Sequence, residues 1–207
     1  MKLTLDYHKS GLDVDIPDKN LVAVLSMQPV APLEDPVQTT WHTLESPVGS
    51  PSLMALAQGR RDACVVVSDI TRPVPHHIIL PPILETLEQS GLPPSSITIL
   101  VATGLHGPMS EMMLRETLTD AIVDRYPIIN HMARKSEEQA DLGFTSTGIP
   151  IHVDRRYVES DLKILTGLIE AHFMAGYSGG RKLVAPGLVG TDTIKYLHGP
   201  GILEHPK

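Results

Sequence analysis

The chain has 207 residues and a formal net charge of -7, with no run of basic residues. One sizeable core is affordable at that length, but the charge excludes the cationic face that nucleic acid or an anionic membrane surface requires. Cys64 is the single cysteine, so an internal disulfide and a cysteine cluster for structural zinc are both excluded. No apolar stretch reaches the roughly 18 residues of a bilayer span, and the amino terminus lacks the form of a signal peptide, so a reducing cytoplasm is the expected compartment.

Residues 2–16 predict a hairpin. Leu3, Leu5 and Tyr7 alternate with polar residues, as do Leu12, Val14 and Ile16, around a turn at Lys9-Ser10-Gly11. A third strand is expected over 21–25. Residues 29–51, rich in Pro, Ser and Thr, read as a loop-rich connection with a short helix near 35–44. Ser50 as N-cap and Pro51 at the first helical position then predict a helix to Gln58, stopped by Gly59.

The rhythm changes next to strands alternating with helices. Residues 63–67 and 97–102 are short apolar runs, the pattern of strands buried on both faces. A helix is expected over 75–89, ended by Ser90-Gly91, with Pro81-Pro82 counting against its middle. Further helices are expected over 110–118 and 191–197, and strands over 127–131, 149–153 and 162–165. With Phe and Trp scarce, the core must be built from Val, Ile, Leu, Ala and Met, and Met109, Met112 and Met113 read as one core stripe. The predicted class is α/β: a mostly parallel, Rossmann-like sheet with helices on both faces, preceded by a small amino-terminal β region. Residues 202–207 carry no terminating helix signal, and the chain reads as cut in mid-protein.

Ligands of an open parallel sheet bind beyond the carboxyl ends of its strands, so the segments following the buried runs are the candidates. After 63–67 comes Ser68-Asp69-Ile70-Thr71-Arg72-Pro73. Asp69 can accept from ribose hydroxyls and Arg72 can grip a carboxylate, although an Asp–Arg pair in a turn explains the same residues. After 97–101 comes Ala102-Thr103-Gly104-Leu105-His106-Gly107, which holds a histidine on a tight loop. The third segment, Glu170-Ala171-His172-Phe173-Met174-Ala175-Gly176-Tyr177-Ser178-Gly179-Gly180-Arg181-Lys182, is a glycine-rich loop with a histidine before it and two cations behind. Its backbone N–H groups could hold a phosphate, yet it is neither a Walker loop nor a dinucleotide fingerprint. His198 lies near the end of the predicted 191–197 helix, where a helix dipole alone would favour it. His8, His42, His76, His77, His131, His152 and His205 read as structural or surface residues.

Together these segments resemble the amino-terminal domain of the nickel-pincer-nucleotide-dependent lactate racemases and their 2-hydroxy-acid racemase and epimerase relatives. The resemblance rests on the 68–73 motif, Ala102-Thr103-Gly104-Leu105-His106, the long 172–182 motif and His198 downstream, in matching order and spacing. It implies a nickel-pincer nucleotide tethered through a thioamide to Lys182, with His198 completing the nickel site. It implies reversible hydride transfer through a transient 2-keto acid, with His106 and His172 as the acid–base pair and Arg72 holding the substrate. It also implies Asp69 at the cofactor ribose or phosphate region, and Ser178, Gly179, Gly180 and Arg181 at the phosphate. Partners would be a small 2-hydroxy acid, the cofactor-maturation enzymes and a carboxy-terminal domain that this chain lacks, so that it would turn over poorly by itself. Two other readings of the residues remain: a non-catalytic nucleotide- or phosphate-binding domain, and a zinc hydrolase using His106, His172 and His198.

Overall fold

The computed structural model describes residues 1–7, 10–25, 28–172 and 174–204. His8, Lys9, Phe173 and His205, which entered the readings above, lie outside them. The chain forms two compact units, Met1–Glu34 and Asp35–Lys207.

In the first unit β1 (Lys2–Leu5) pairs antiparallel with β2 (Leu12–Asp15), Leu3 opposite Val14 and Leu5 opposite Leu12. Gly11 closes the turn at φ 77°, a conformation that suits glycine. The third strand expected over 21–25 does not form: these residues join no sheet, and Val22 and Leu25 are almost wholly exposed. A β-branched run makes a strand only where it finds a partner edge and a face to bury.

The second unit opens with α1 (Pro36–Glu45), capped by the Asp35 carboxylate, which accepts from Gln38 N at 2.9 Å. α2 (Leu53–Ala57) starts later than predicted. The Ser50 hydroxyl donates to Pro51 O, and Ser52 is the cap that accepts from Ala55 N. β3 (Ala63–Ser68), α3 (His76–Gln89) and β4 (Ile97–Ala102) follow. α3 runs through Pro81 and Pro82, because Leu80, Ile83, Leu84 and Leu87 seal one side of it into the core. Packing there outweighs a proline penalty of about 3 kcal/mol.

Next come α4 (Glu111–Leu118), α5 (Asp120–Val123) and β5 (Ile128–Asn130). Met109 is buried and Met113 packs on the core, but Met112 is exposed, so the expected methionine stripe is only partly in the core. The strand expected over 149–153 is β7 (Pro150–Asp154), and it does not join the parallel sheet. It pairs antiparallel with β6 (Gln139–Phe144), a strand the sequence pattern did not reveal. α6 (Arg155–Glu159) and β8 (Leu162–Leu165) return the chain to the main sheet. β9 (Ala171–His172) and β10 (Gly176–Tyr177) form a small hairpin. α7 (Thr191–Leu197) and the short α8 (Pro200–Leu203) end the described chain, α8 standing where no terminal helix was expected.

The main sheet is fully parallel, in the order β5-β4-β3-β8. Alternation along each strand sorts side chains between two cores. Ala63, Val65, Val67, Ile97, Ile99 and Val101 face α2 to α5. Cys64, Val66 and Leu100 face Leu183, Leu188 and Tyr157, so one side is covered by α2 to α5 and the other by α6 and the 180–189 segment. A buried polar clamp ties the β6–β7 hairpin to this body. His131 Nδ1 lies 2.9 Å from Asp154 Oδ2 and Nε2 lies 3.1 Å from Val189 O, while Arg156 reaches Asp154 at 2.6 Å. Burial opposes the charge on Asp154, yet the bonds from His131 and Arg156 hold its carboxyl below the usual range. Among the described residues no helix is long and apolar enough to cross a membrane.

Candidate active site

From β3 the chain proceeds outward through β4 to β5, then returns to lay β8 on the other side of β3. The reversal leaves a crevice beyond the carboxyl ends of β3 and β8, the place where open α/β sheets bind ligands. A cavity of about 220 Å³ lies there. Its walls include Asp69 and Arg72 after β3, His106 after β4, and His172, Lys182 and His198 from the segment after β8. Residues separated by more than a hundred positions therefore share one small space. Ser178 and Gly179 also line it, whereas Gly180 and Arg181 are exposed and do not.

Asp69 is buried, and both of its oxygens are engaged. Oδ1 accepts from the Thr71 N–H at 3.1 Å and from the Thr71 hydroxyl, and Oδ2 lies 2.6 Å from His106 Nδ1. His106 reaches it from a loop in which Gly104, at φ 55°, turns the chain after β4 and His106 N donates to Thr103 O. Arg72 Nη1 donates to Glu170 Oε1 at 2.9 Å, a contact across 98 residues with no local signal in either segment.

His172 stands at the end of β9. Its Nδ1 accepts from the backbone N–H groups of Met174 and Ala175, each at 3.2 Å, so the ring braces the turn that follows it. Burial lowers its pKa, and the nearby positive charges of Lys182 and Arg72 act in the same direction. Ser178 then pins the loop: its hydroxyl donates to Leu168 O at 2.6 Å and accepts from Glu170 N at 3.0 Å. Gly179 has φ 74° and ψ -174°, and a Cβ there would come within 2.9 Å of Leu168 O. Only glycine allows the two strands of this loop to approach so closely.

Gly179 leads into a 3₁₀ turn, Gly180–Leu183, that carries Lys182 inward. The Lys182 Nζ is buried and, among the described residues, has no hydrogen-bond partner. Burial lowers its pKa, Arg72 lowers it further, and Glu170 opposes them. A lysine amine shifted by burial toward its neutral form is a better nucleophile than a fully protonated one. His198 caps the carboxyl end of α7, its N–H donating to Ile194 O at 2.9 Å, and its side chain completes the cavity wall. Among the described residues no three His, Cys, Asp or Glu side chains are grouped to hold a metal ion.

Comparison with known proteins adds to this geometry. A family model described as the lactate racemase N-terminal domain matches residues 7–207. The chain is 35% identical to a lactate racemase of Lactiplantibacillus plantarum over 208 residues, covering 99% of this chain and 49% of the relative. It is 31% identical to a lactate racemase of Thermoanaerobacterium thermosaccharolyticum over 209 residues, covering 99% and 48%. The chain thus spans about half the length of the curated relatives it matches. The solved lactate racemase apoprotein of T. thermosaccharolyticum superposes with a TM-score of 0.80 at 31% identity, over 94% of this chain and 45% of that one. A Thermotoga maritima protein of known crystal structure shares the fold, with a TM-score of 0.63 at 24% identity over 79% of this chain and 41% of its own.

Proposed function

Because the chain belongs to the lactate racemase N-terminal domain family, we propose that it forms the site-bearing half of a racemase or epimerase of small 2-hydroxy acids. The observation that carries this reading is the cavity where two imidazoles and a buried lysine amine, which has no hydrogen-bond partner among the described residues, meet at the sheet's switch point.

The residues fit a nickel-pincer nucleotide. The Lys182 amine is the nucleophile suited to a covalent tether, and its burial favours the neutral form that such a bond requires. His198, which lines the cavity, offers one imidazole to a metal whose remaining donors would come from the pincer. The loop around Ser178 and Gly179 brings backbone close to the cavity, where a nucleotide phosphate could be held. When bound, the group supplies an acceptor for the hydride on the carbon to be inverted.

The chain's own residues supply the rest. Arg72 keeps guanidinium donors beyond the one spent on Glu170, and these bind the carboxylate of the acid. His106 and His172 exchange protons with the 2-oxygen, one on each face of the reacting carbon. The His106 side chain is 59% exposed, so water enters the site freely in this half alone. A second domain is needed to exclude water and hold the reacting carbon in place, and the isolated chain turns over poorly. The setting is the cytoplasm, where maturation enzymes deliver the cofactor.

The test follows optical purity from one enantiomer of several 2-hydroxy acids. The 207-residue chain is compared with the same chain joined to the carboxy-terminal half of a full-length relative, both produced with the maturation enzymes. The joined protein should racemise at least one acid, and His106→Ala or His172→Ala should abolish this. No racemisation of any acid by a cofactor-loaded joined protein would overturn the reading.

A further inference from the structure

We propose that His106 and His172 are locked in opposite neutral tautomers, with Asp69 as the positioning residue that sets His106. The cavity then contains one imidazole whose Nε2 accepts and one whose Nε2 donates.

The assignment for His106 follows from what Asp69 can do. Its Oδ1 takes two donors from Thr71, the N–H and the hydroxyl. A carboxylate only accepts, so the 2.6 Å contact to Oδ2 requires the proton on His106 Nδ1 and leaves Nε2 with its lone pair. Asp69 is 5% exposed, and its second engagement with Thr71 keeps it from turning away.

The assignment for His172 is independent and rests on backbone. The N–H groups of Met174 and Ala175 both point at Nδ1 from 3.2 Å. A backbone N–H only donates, so Nδ1 holds a lone pair and the ring proton sits on Nε2. The cause is local: His172 pairs with Gly176 at the mouth of the β9–β10 hairpin, and its ring satisfies the amides of the turn between them. To reverse the tautomer, His172 would have to give up both amide bonds and His106 its carboxylate.

The functional consequence rests on the racemase reading. A 2-hydroxyl group is a donor and a 2-keto oxygen an acceptor, so the resting site is matched to one of each. His106 Nε2 receives the hydroxyl proton, and the imidazolium so formed keeps its bond to the Asp69 carboxylate. At rest His172 gives the 2-oxygen on the opposite face a hydrogen bond from Nε2–H. It transfers that proton only as an imidazolium, after taking a second proton from water at Nδ1, while the proton left on His106 returns to water and the two resting tautomers are restored by the same exchange. The two histidines are thus unequal in the resting enzyme. Enantiomers have equal free energy, so kcat/KM must be the same in both directions of a racemisation. The inequality is therefore read from the rings and not from rates.

The experiment is long-range proton–nitrogen correlation of the full chain carrying nitrogen-15 histidine, without cofactor, at mildly alkaline pH where free imidazoles are neutral. His106→Gln and His172→Gln assign the two rings. The wild-type chain should show a pyrrole-type Nδ1 and pyridine-type Nε2 for His106, and the reverse for His172. Asp69→Ala should shift His106 from almost wholly Nδ1–H to a mixture dominated by Nε2–H and leave His172 unchanged. Should Asp69→Ala fail to fold, the wild-type spectrum decides by itself, with Asp69→Asn read in the same way. The same tautomer in both rings, or a His106 pattern indifferent to Asp69, overturns the proposal. Neither result depends on catalysis, so failure of the racemase reading and failure of this one are separately visible.

Discussion

Gly179→Ala offers a sharp quantitative check on how the site is built, with Gly180→Ala as its control. At Gly179 the backbone has φ 74° and ψ -174°, a region left almost entirely to glycine, and an alanine there costs about 1–3 kcal/mol in backbone strain. The new Cβ would also stand 2.9 Å from Leu168 O and 3.1 Å from Ile169 Cγ1. The carbonyl belongs to backbone and cannot swing aside, so overpacking adds about 1–3 kcal/mol. The expected loss is about 4 kcal/mol, or about 10 °C in Tm for a domain of this size. Gly180 has φ 52° but open space where its Cβ would lie, so alanine there costs only the left-handed penalty of about 1 kcal/mol. Thermal and urea unfolding of both variants, followed by circular dichroism, would measure the difference. Equal, small losses from the two substitutions would refute the claim that the loop is held by close backbone approach at Gly179.

Three further outcomes follow. His131→Ala should destabilise the chain by about 3–5 kcal/mol, because it leaves the buried Asp154 carboxylate short of a partner; a loss under about 1 kcal/mol in urea unfolding would show that the clamp is dispensable. His76 is fully buried, and burial lowers its pKa from 6.5 to about 4, against a smaller opposing pull from the Ser68 backbone. The unfolded chain therefore binds the extra proton first as pH falls, so this contribution is intact above pH 6.5 and is lost progressively down to about 4. The loss amounts to about 3 kcal/mol. His76→Leu should flatten that part of the stability–pH curve, and an unchanged slope would contradict the assignment. Glu170→Gln should cost under about 1 kcal/mol, since the Arg72–Glu170 pair is partly exposed; a much larger loss in thermal unfolding would mean the pair holds the loop together.

Much of the fold was legible because burial on both faces leaves a plain mark. The runs at 63–67 and 97–102 are apolar without alternation, and each became a strand packed between two cores. Their carboxyl ends then pointed to Asp69, Arg72 and His106 by the geometry of parallel sheets alone. What failed did so for want of a local signal. Gln139–Phe144 has neither alternation nor a β-branched run, and its strand depends on pairing with β7 and on the His131–Asp154 clamp. Residues 21–25 have high strand propensity but no edge to join. Ser50 and Ser52 are equally good caps in sequence, and the choice turned on the Ser50 hydroxyl being spent on Pro51 O. The contacts Asp69–His106 and Arg72–Glu170 span 37 and 98 residues, and nothing in either segment by itself announces them.

The central claim is that this cavity holds a covalently tethered nucleotide on Lys182, and intact-mass measurement tests it most directly. The 207-residue chain and its Lys182→Ala variant would be produced with and without the cofactor-maturation enzymes and weighed. The wild-type chain should gain a nickel-containing mononucleotide adduct only in the presence of those enzymes, and peptide mapping should place it on Lys182. The variant should gain nothing. A wild-type chain that stays at its unmodified mass under conditions that load a full-length relative, or an adduct that persists in Lys182→Ala, would contradict the account.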